Sequence, residues 1–311
     1  MKKVFLTISV IAIIAFFALS LVACNNATPQ GQLQNILNDH NVETFTYEVK
    51  ARNVSTDASL EGYTGTYTVK LEAKDAGTTV SGFGDADLSD VAKGILVTSV
   101  LNVGSGETAT EILTGCYFNI VDGSSYMVPA ASYRVQKVGG NVKFKLQARY
   151  EGKSFVYDRE IDGVKDSGKL EFKATTYFDN NEFHQSLRTL TTFSDSMVFS
   201  FNMPLVSKDE AEVIVLSANV SGQQAIHNNF TANNDAYAEN GIKCYKTVVS
   251  RKIDKMNITG MSHTLYYAVD DVKINGWPLK KVLVRIVEPF ILDGETYEMV
   301  YDLAAHGATL E

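Results

Sequence analysis

The chain has 311 residues, 45% of them hydrophobic, and a formal net charge of −8. This is the composition of a folded globular protein rather than a disordered stalk, and the length suits one large domain or two small ones. With no basic run longer than Lys280-Lys281 or Arg251-Lys252, the acidic balance argues against nucleic acid and anionic lipid headgroups as electrostatic partners.

Met1, Lys2 and Lys3 precede an uncharged, strongly apolar stretch from Val4 to Val22. That order is a positive n-region followed by an apolar h-region. At about 19 residues the stretch is also long enough for a membrane span. The segment Leu21-Val22-Ala23-Cys24 decides between them, because it resembles the lipobox of bacterial lipoproteins. The resemblance implies that residues 1–23 are a cleaved signal peptide and that Cys24 is acylated. Each buried methylene then contributes about 0.8 kcal/mol, and two or three chains give a stable anchor. The implied address is extracytoplasmic, on the cell membrane, or on the outer membrane if the cell has two. An uncleaved anchor would leave the rest of the chain outside as well. Asn25 and Asn26 follow the Cys, so the resemblance carries no inner-membrane retention signal.

Residues 24–42 read as a polar tether with a weak docking helix on the pattern Leu33, Ile36 and Leu37. Residues 43–311 read as a single β-rich domain. In Tyr63 to Lys74, Tyr67, Val69 and Leu71 alternate with Thr68, Lys70 and Glu72, and Lys143 to Tyr150 repeats the alternation. Such a period of two marks strands with one dry and one wet face. Turn signals divide the runs, among them Lys74-Asp75-Ala76-Gly77, Gly139-Gly140-Asn141, Asp162-Gly163, Asn275-Gly276 and Asp293-Gly294. Asp-Gly and Asn-Gly pairs are hairpin chemistry.

Three segments interrupt the alternation. Asp85 to Asp90 is an acidic cluster ahead of Val91, Ile95, Leu96 and Val100, a spacing that predicts a capped helix over 88–103. Asp179-Asn180-Asn181 opens a second predicted helix to 193, with Phe183, Leu187 and Leu190 on one face. Asn233 to Asn240 is short and polar. Met197 to Met203, Val213 to Val220 and Val282 to Leu292 are apolar on both faces and so must be covered twice. The two helices could cover them. Alternatively a ligand does, and Phe183, Leu187 and Leu190 form an apolar gate. The expected fold is mainly β: a curved antiparallel sheet or open half-barrel of about a dozen strands, with two or three short helices covering one face.

Little in the sequence points to chemistry. Apart from Cys24, the cysteines are Cys116 and Cys244, which in an oxidising compartment could form one disulfide or remain two buried thiols. His40, His184, His227, His263 and His306 stand in no metal-ligand spacing, so neither metal nor cofactor is predicted. Gly104-Ser105-Gly106 is no nucleophile elbow, and there is no phosphate-binding glycine loop. Asp270-Asp271 with Glu295 is the one conceivable glycosidase pair. Trp277, in a predicted turn, is the aromatic expected to be exposed.

The order of Leu187-Arg188-Thr189-Leu190, Asn240 to Lys246, Leu265 to Asp270 and Leu279 to Ile286 resembles a family of exported bacterial β-proteins of unknown function. Over about 45–290 the resemblance implies an open barrel of the lipoprotein-carrier kind with a helix on its concave face, and it brings no catalytic residue. The expected function is therefore non-enzymatic: a lipid-anchored envelope protein binding a lipid or other hydrophobic ligand. The alternatives are an interaction or structural module and an envelope enzyme acting on glycan or ester. The membrane, through the anchor, is the expected partner.

Overall fold

The computed structural model describes residues 31–32, 37, 41–121, 126–173, 177–189, 195–230, 240–253, 256–274 and 276–311. The signal segment, Cys24, Leu190 and the stretch 233–239 lie outside the described residues.

Among the described residues nineteen strands follow in chain order: β1 (Gly31–Gln32), β2 (Val42–Asn53), β3 (Ser59–Lys74), β4 (Val80–Phe83), β5 (Ala86–Leu88), β6 (Gly94–Val103), β7 (Thr110–Ile120), β8 (Tyr126–Val138), β9 (Asn141–Glu151), β10 (Ser154–Ile161) and β11 (Val164–Glu171). After a short interior segment come β12 (Val198–Val206), β13 (Ala211–Ile226), β14 (Ile242–Ile253), β15 (Met256–Ala268), β16 (Val272–Ile274), β17 (Trp277–Leu279), β18 (Leu283–Leu292) and β19 (Glu295–Leu310). One antiparallel sheet runs β11-β10-β9-β8-β7-β6-β3-β2-β19-β18-β15-β14-β13-β12 and curls until it is nearly closed into a barrel. β4-β5 and β16-β17 form two small separate hairpins.

The alternation read from the sequence is the barrel's inside and outside. Val69 and Leu71 of β3 and Phe144, Leu146 and Ala148 of β9 are buried, while their neighbours in sequence are not. The Asp162–Gly163 and Asp293–Gly294 turns have positive φ at both central positions, 47° and 87° in one and 52° and 82° in the other. A primed hairpin turn requires that conformation, which is why Asp-Gly stands there.

Between the two free edges the closure is made by side chains and by the connection itself. Arg159 on β10 donates to the carbonyl of Ser207 at 2.7 Å. Phe155, Tyr157 and Phe172 share an apolar cluster with Val206 of β12. Tyr177 then bridges to Asn202 of β12, and the Phe178 N–H donates to the Asn202 carbonyl. These contacts occupy edges that would otherwise offer themselves to another chain.

Past Phe178 the chain turns into the barrel. The helix α1 (Phe183–Ser186) and a single 3₁₀ turn (Leu187–Thr189) are buried at every residue. They form a plug inside the barrel rather than a lid on one face. The turns after β2, β6, β8, β10, β12 and β18 gather at one end of the barrel, whereas Val42 and Glu311 lie at the other.

Several expectations are corrected. Residues 88–103 contain no helix: β6 runs over 94–103, because Ile95, Val97, Thr98 and Val100 are β-branched and favour a pleated surface. Its acidic prelude makes turns, with Asp87 accepting from the Gly82 N–H and Asp85 paired to Lys145. Over its described residues, to Thr189, the second predicted helix is one turn of α-helix plus one 3₁₀ turn. Within 24–42, Gly31–Gln32 pairs with β8 and Leu37 is buried in the main core. The strands apolar on both faces are covered by the plug within and, in the same core cluster, by Ile226, Phe230, Val272, Ile274 and Leu279.

Candidate functional site

Polar residues on an inward-facing register build the site. On β15, Leu265 and Tyr267 point to the core, and His263 shares their parity. On β18, Val284 and Ile286 are core, and Glu288 shares theirs. The ladder between these strands includes Thr264 opposite Val287, which makes His263 and Glu288 the next cross-strand neighbours. From the plug, His184 reaches the same carboxylate.

The His184 Nε2 and His263 Nδ1 atoms lie 3.5 and 3.4 Å from Glu288 Oε1. Both nitrogens are shielded from water, and neither has a hydrogen-bond partner among the described residues. Both separations are longer than an ordinary N–H···O hydrogen bond. The other carboxylate oxygen, Oε2, accepts the Tyr301 O–H at 2.8 Å. Tyr301 packs edge-on against Tyr67, and Phe183 packs against both imidazoles.

Burial raises the Glu288 carboxyl, but His263, His184 and the Tyr301 hydroxyl together outweigh it and hold the group at about 2, so it is ionised. Burial drives His184 the other way, down to about 4; the Glu288 charge opposes that and His263 reinforces it. Near neutral pH, His184 is therefore an uncharged imidazole with an unpaired nitrogen.

This cluster lines an interior cavity of about 250 Å³, together with Ser99, Thr114, Arg134 and Asn181. Arg134 on β8 makes no ion pair or hydrogen bond among the described residues, and its Nε is buried without a partner. Burial lowers its pKa while Glu288 and Tyr301 raise it. On the far wall, Ser99 and Thr114 share a hydrogen bond at 2.5 Å, and the Thr114 hydroxyl donates to Glu182. Burial pushes Glu182 well above the usual carboxylate range; Thr114 opposes this and the Asp179 charge adds to it. The side chains of Glu288 and His263 remain 27% and 36% exposed, so the cavity reaches solvent. Among the described residues three larger depressions, of about 430, 400 and 310 Å³, lack such a cluster: the first is lined by pairs already satisfied, such as Arg159–Asp166 and Lys145–Asp85.

The structure treats the sequence candidates unevenly. Phe183 and Leu187 are core residues, 3% and 0% exposed. Leu190 and Cys24 lie outside the described residues. Cys116 and Cys244 are both free and buried, with no disulfide between them. Asp270-Asp271 adjoins the Leu283 end of β18 and Glu295 its Leu292 end, ~30 Å apart along a ten-residue strand, beyond the roughly 5 to 10 Å a glycosidase pair needs. Trp277 is half-exposed at the start of β17, in a short strand rather than a turn. His184 and His263, 79 positions apart in the chain and set aside as isolated, come together with Glu288. The available signal was a His and a Glu on the apolar parity of their strands.

A nearly closed antiparallel barrel, plugged by its own edge connection and lined on one side by polar groups, is the class that fold and site define. The chain is similar in structure to a crystallised β-barrel-like protein of a domain of unknown function, DUF1849, from Brucella abortus, with a TM-score of 0.50 and 12% identity over 87% of this chain and 98% of that one. At that identity the likeness shows the fold alone. No family model matches the chain, and no curated protein matches it.

Proposed function

We propose that this is a lipid-anchored, extracytoplasmic binding protein that holds a small polar ligand in the cavity around Glu288. The observation that carries the reading is the convergence of three buried, unpartnered nitrogens on one pocket: His184 Nε2, His263 Nδ1 and Arg134 Nε. Leaving such groups without partners costs about 1–3 kcal/mol each, and a bound ligand would remove that cost. Polar groups convergent in a cavity are the usual mark of a ligand site.

A lipid or other hydrophobic ligand, the carrier reading, finds less support. The plug residues Phe183 and Leu187 fill the apolar interior, and in the cavity beside them charged and hydroxyl side chains stand among Leu101, Ile112 and Ile286. The lipobox residues Leu21 to Cys24 support the anchor. Val42 lies at the opposite end of the barrel from the turns after β2, β6, β8, β10, β12 and β18, so an anchored barrel would turn those turns outward.

The test has two parts, both on the full chain. Cys24→Ser should abolish incorporation of a clickable fatty acid, and acyl label persisting in the variant would refute the anchor. In detergent, phosphate, small carboxylates and divalent cations should be screened for a shift in melting temperature, alongside an environment-sensitive fatty-acid probe. A shift from a polar ligand, lost in Arg134→Met or His263→Ala, is the expected result. Saturable probe binding with no polar shift would return the carrier reading, and neither response would favour an interaction module.

A further inference from the structure

We propose that His184 Nε2, His263 Nδ1 and Glu288 Oε1 bind one divalent transition-metal ion, of the zinc class, with an open coordination position facing Arg134. The inference rests on the polar-cavity reading above and names the ligand that completes it.

Geometry is the first argument. The three donor atoms lie within 4.8 Å of one another, and the two nitrogen-to-oxygen separations are 3.5 and 3.4 Å. A tetrahedral ion with bonds of about 2.0–2.1 Å has ligand-to-ligand edges of about 3.3 Å. The two nitrogen-to-oxygen separations match that edge.

The donor atoms are also chemically prepared. Imidazole nitrogens without partners present lone pairs in the neutral tautomer, and a carboxylate supplies one negative charge to a dication. Two His and one carboxylate suit zinc and the other late first-row metals, whereas calcium and magnesium take oxygen sets. Surroundings of the cluster match what metal sites carry outside their ligands. Tyr301 donates to Glu288 Oε2, which fixes the carboxylate and leaves Oε1 to the ion. Phe183 packs edge-on against the His263 ring and holds its orientation.

Three protein ligands leave a position open for an exchangeable group, the arrangement that separates reactive or ligand-exchanging zinc sites from closed structural ones. The dication and one carboxylate leave a net charge of +1, and the unpaired Arg134 guanidinium lines the same cavity. Both charges favour an anion as the fourth ligand.

The test uses the full chain in detergent, stripped with chelator and titrated with Zn²⁺ by calorimetry and with Co²⁺ by visible absorption. One equivalent of either metal should bind, Co²⁺ with the intense bands of low coordination, and Zn²⁺ should raise the melting temperature. His184 lies in the buried plug, so His184→Ala could simply unfold; His263→Ala and Glu288→Gln are the informative variants. Each should weaken Zn²⁺ binding at least tenfold while still giving a cooperative melt without metal. The proposal is overturned if wild type binds no stoichiometric metal, or if both variants bind as wild type does. A phosphate- or carboxylate-induced melting shift that persists in chelator-treated protein, with no metal binding, would sink the metal alone and leave the polar-cavity reading standing.

Discussion

The Arg188 guanidinium sits 3.1 Å from the Glu43 carboxylate, with both side chains almost entirely out of solvent. Arg188 also donates to the carbonyls of Lys280 and Lys281 and to Gln185, and it stacks over Phe45. This network ties the plug to β2 and to the segment before β18. Arg188→Met would leave the Glu43 charge buried and uncompensated, an expected loss of about 3–5 kcal/mol. Adding Glu43→Gln should restore part of that loss. Urea unfolding followed by circular dichroism measures both, and strictly additive losses would mean that the two residues are not coupled.

Asp179, at the mouth of the plug, accepts from the Tyr150 hydroxyl at 2.7 Å and the Asn181 N–H at 2.8 Å. Burial nevertheless raises its pKa above the usual carboxylate value, and those bonds only partly offset the effect. The folded state therefore holds the proton to higher pH than the unfolded chain does. Its stabilising contribution is complete below the unfolded value and is lost as pH rises through the folded one. Asp179→Asn keeps an acceptor for Tyr150 and does not titrate. The variant should be more stable than wild type at pH 7, with the advantage shrinking toward pH 4. Melting curves across that range check it, and a pH-independent difference would contradict it.

Strand identity was legible because burial on one face imposes a period of two, as in Val69 and Leu71 of β3. The helical reading of 88–103 failed because Val91, Ile95 and Val100 fit a period of 3.6 by coincidence, while their β-branching was the stronger signal. The plug was legible only as an apolar pattern. Nothing local told Phe183 and Leu187 whether they would lie on the barrel or inside it, since that depends on how far the sheet curls. The His184–His263–Glu288 cluster was invisible to residue spacing because its members come from three elements brought together by tertiary closure.

Cys116 and Cys244 are free and buried. Burial pushes Cys244 up to about 12 and Cys116 well above the ordinary thiol range. Reactivity follows the thiolate, so neither should react with an aromatic disulfide reagent at pH 8 in the folded protein. Both should react once urea unfolds it. Fast labelling of either thiol in the native state, or a mapped Cys116–Cys244 disulfide, would contradict the structure.

Leu187 distinguishes a gate from a plug. A gate must leave its seat, so its apolar face packs loosely and tolerates a polar substitution. Leu187 instead has no exposed surface and shares the main core with Phe183, Phe45 and Tyr267, and the Tyr267 hydroxyl pins the His184 carbonyl at 2.7 Å. Leu187→Ala should therefore cost about 2–5 kcal/mol, the range of a buried leucine whose cavity cannot collapse. Leu187→Asp should abolish the folded state, because an unpaired charge there has no partner and no water. Urea titration of the alanine variant and circular dichroism of the aspartate variant read these outcomes. If Leu187→Asp kept its β-type spectrum and lost only affinity for a fatty-acid probe, the segment would be a gate after all, and the barrel would hold a lipid.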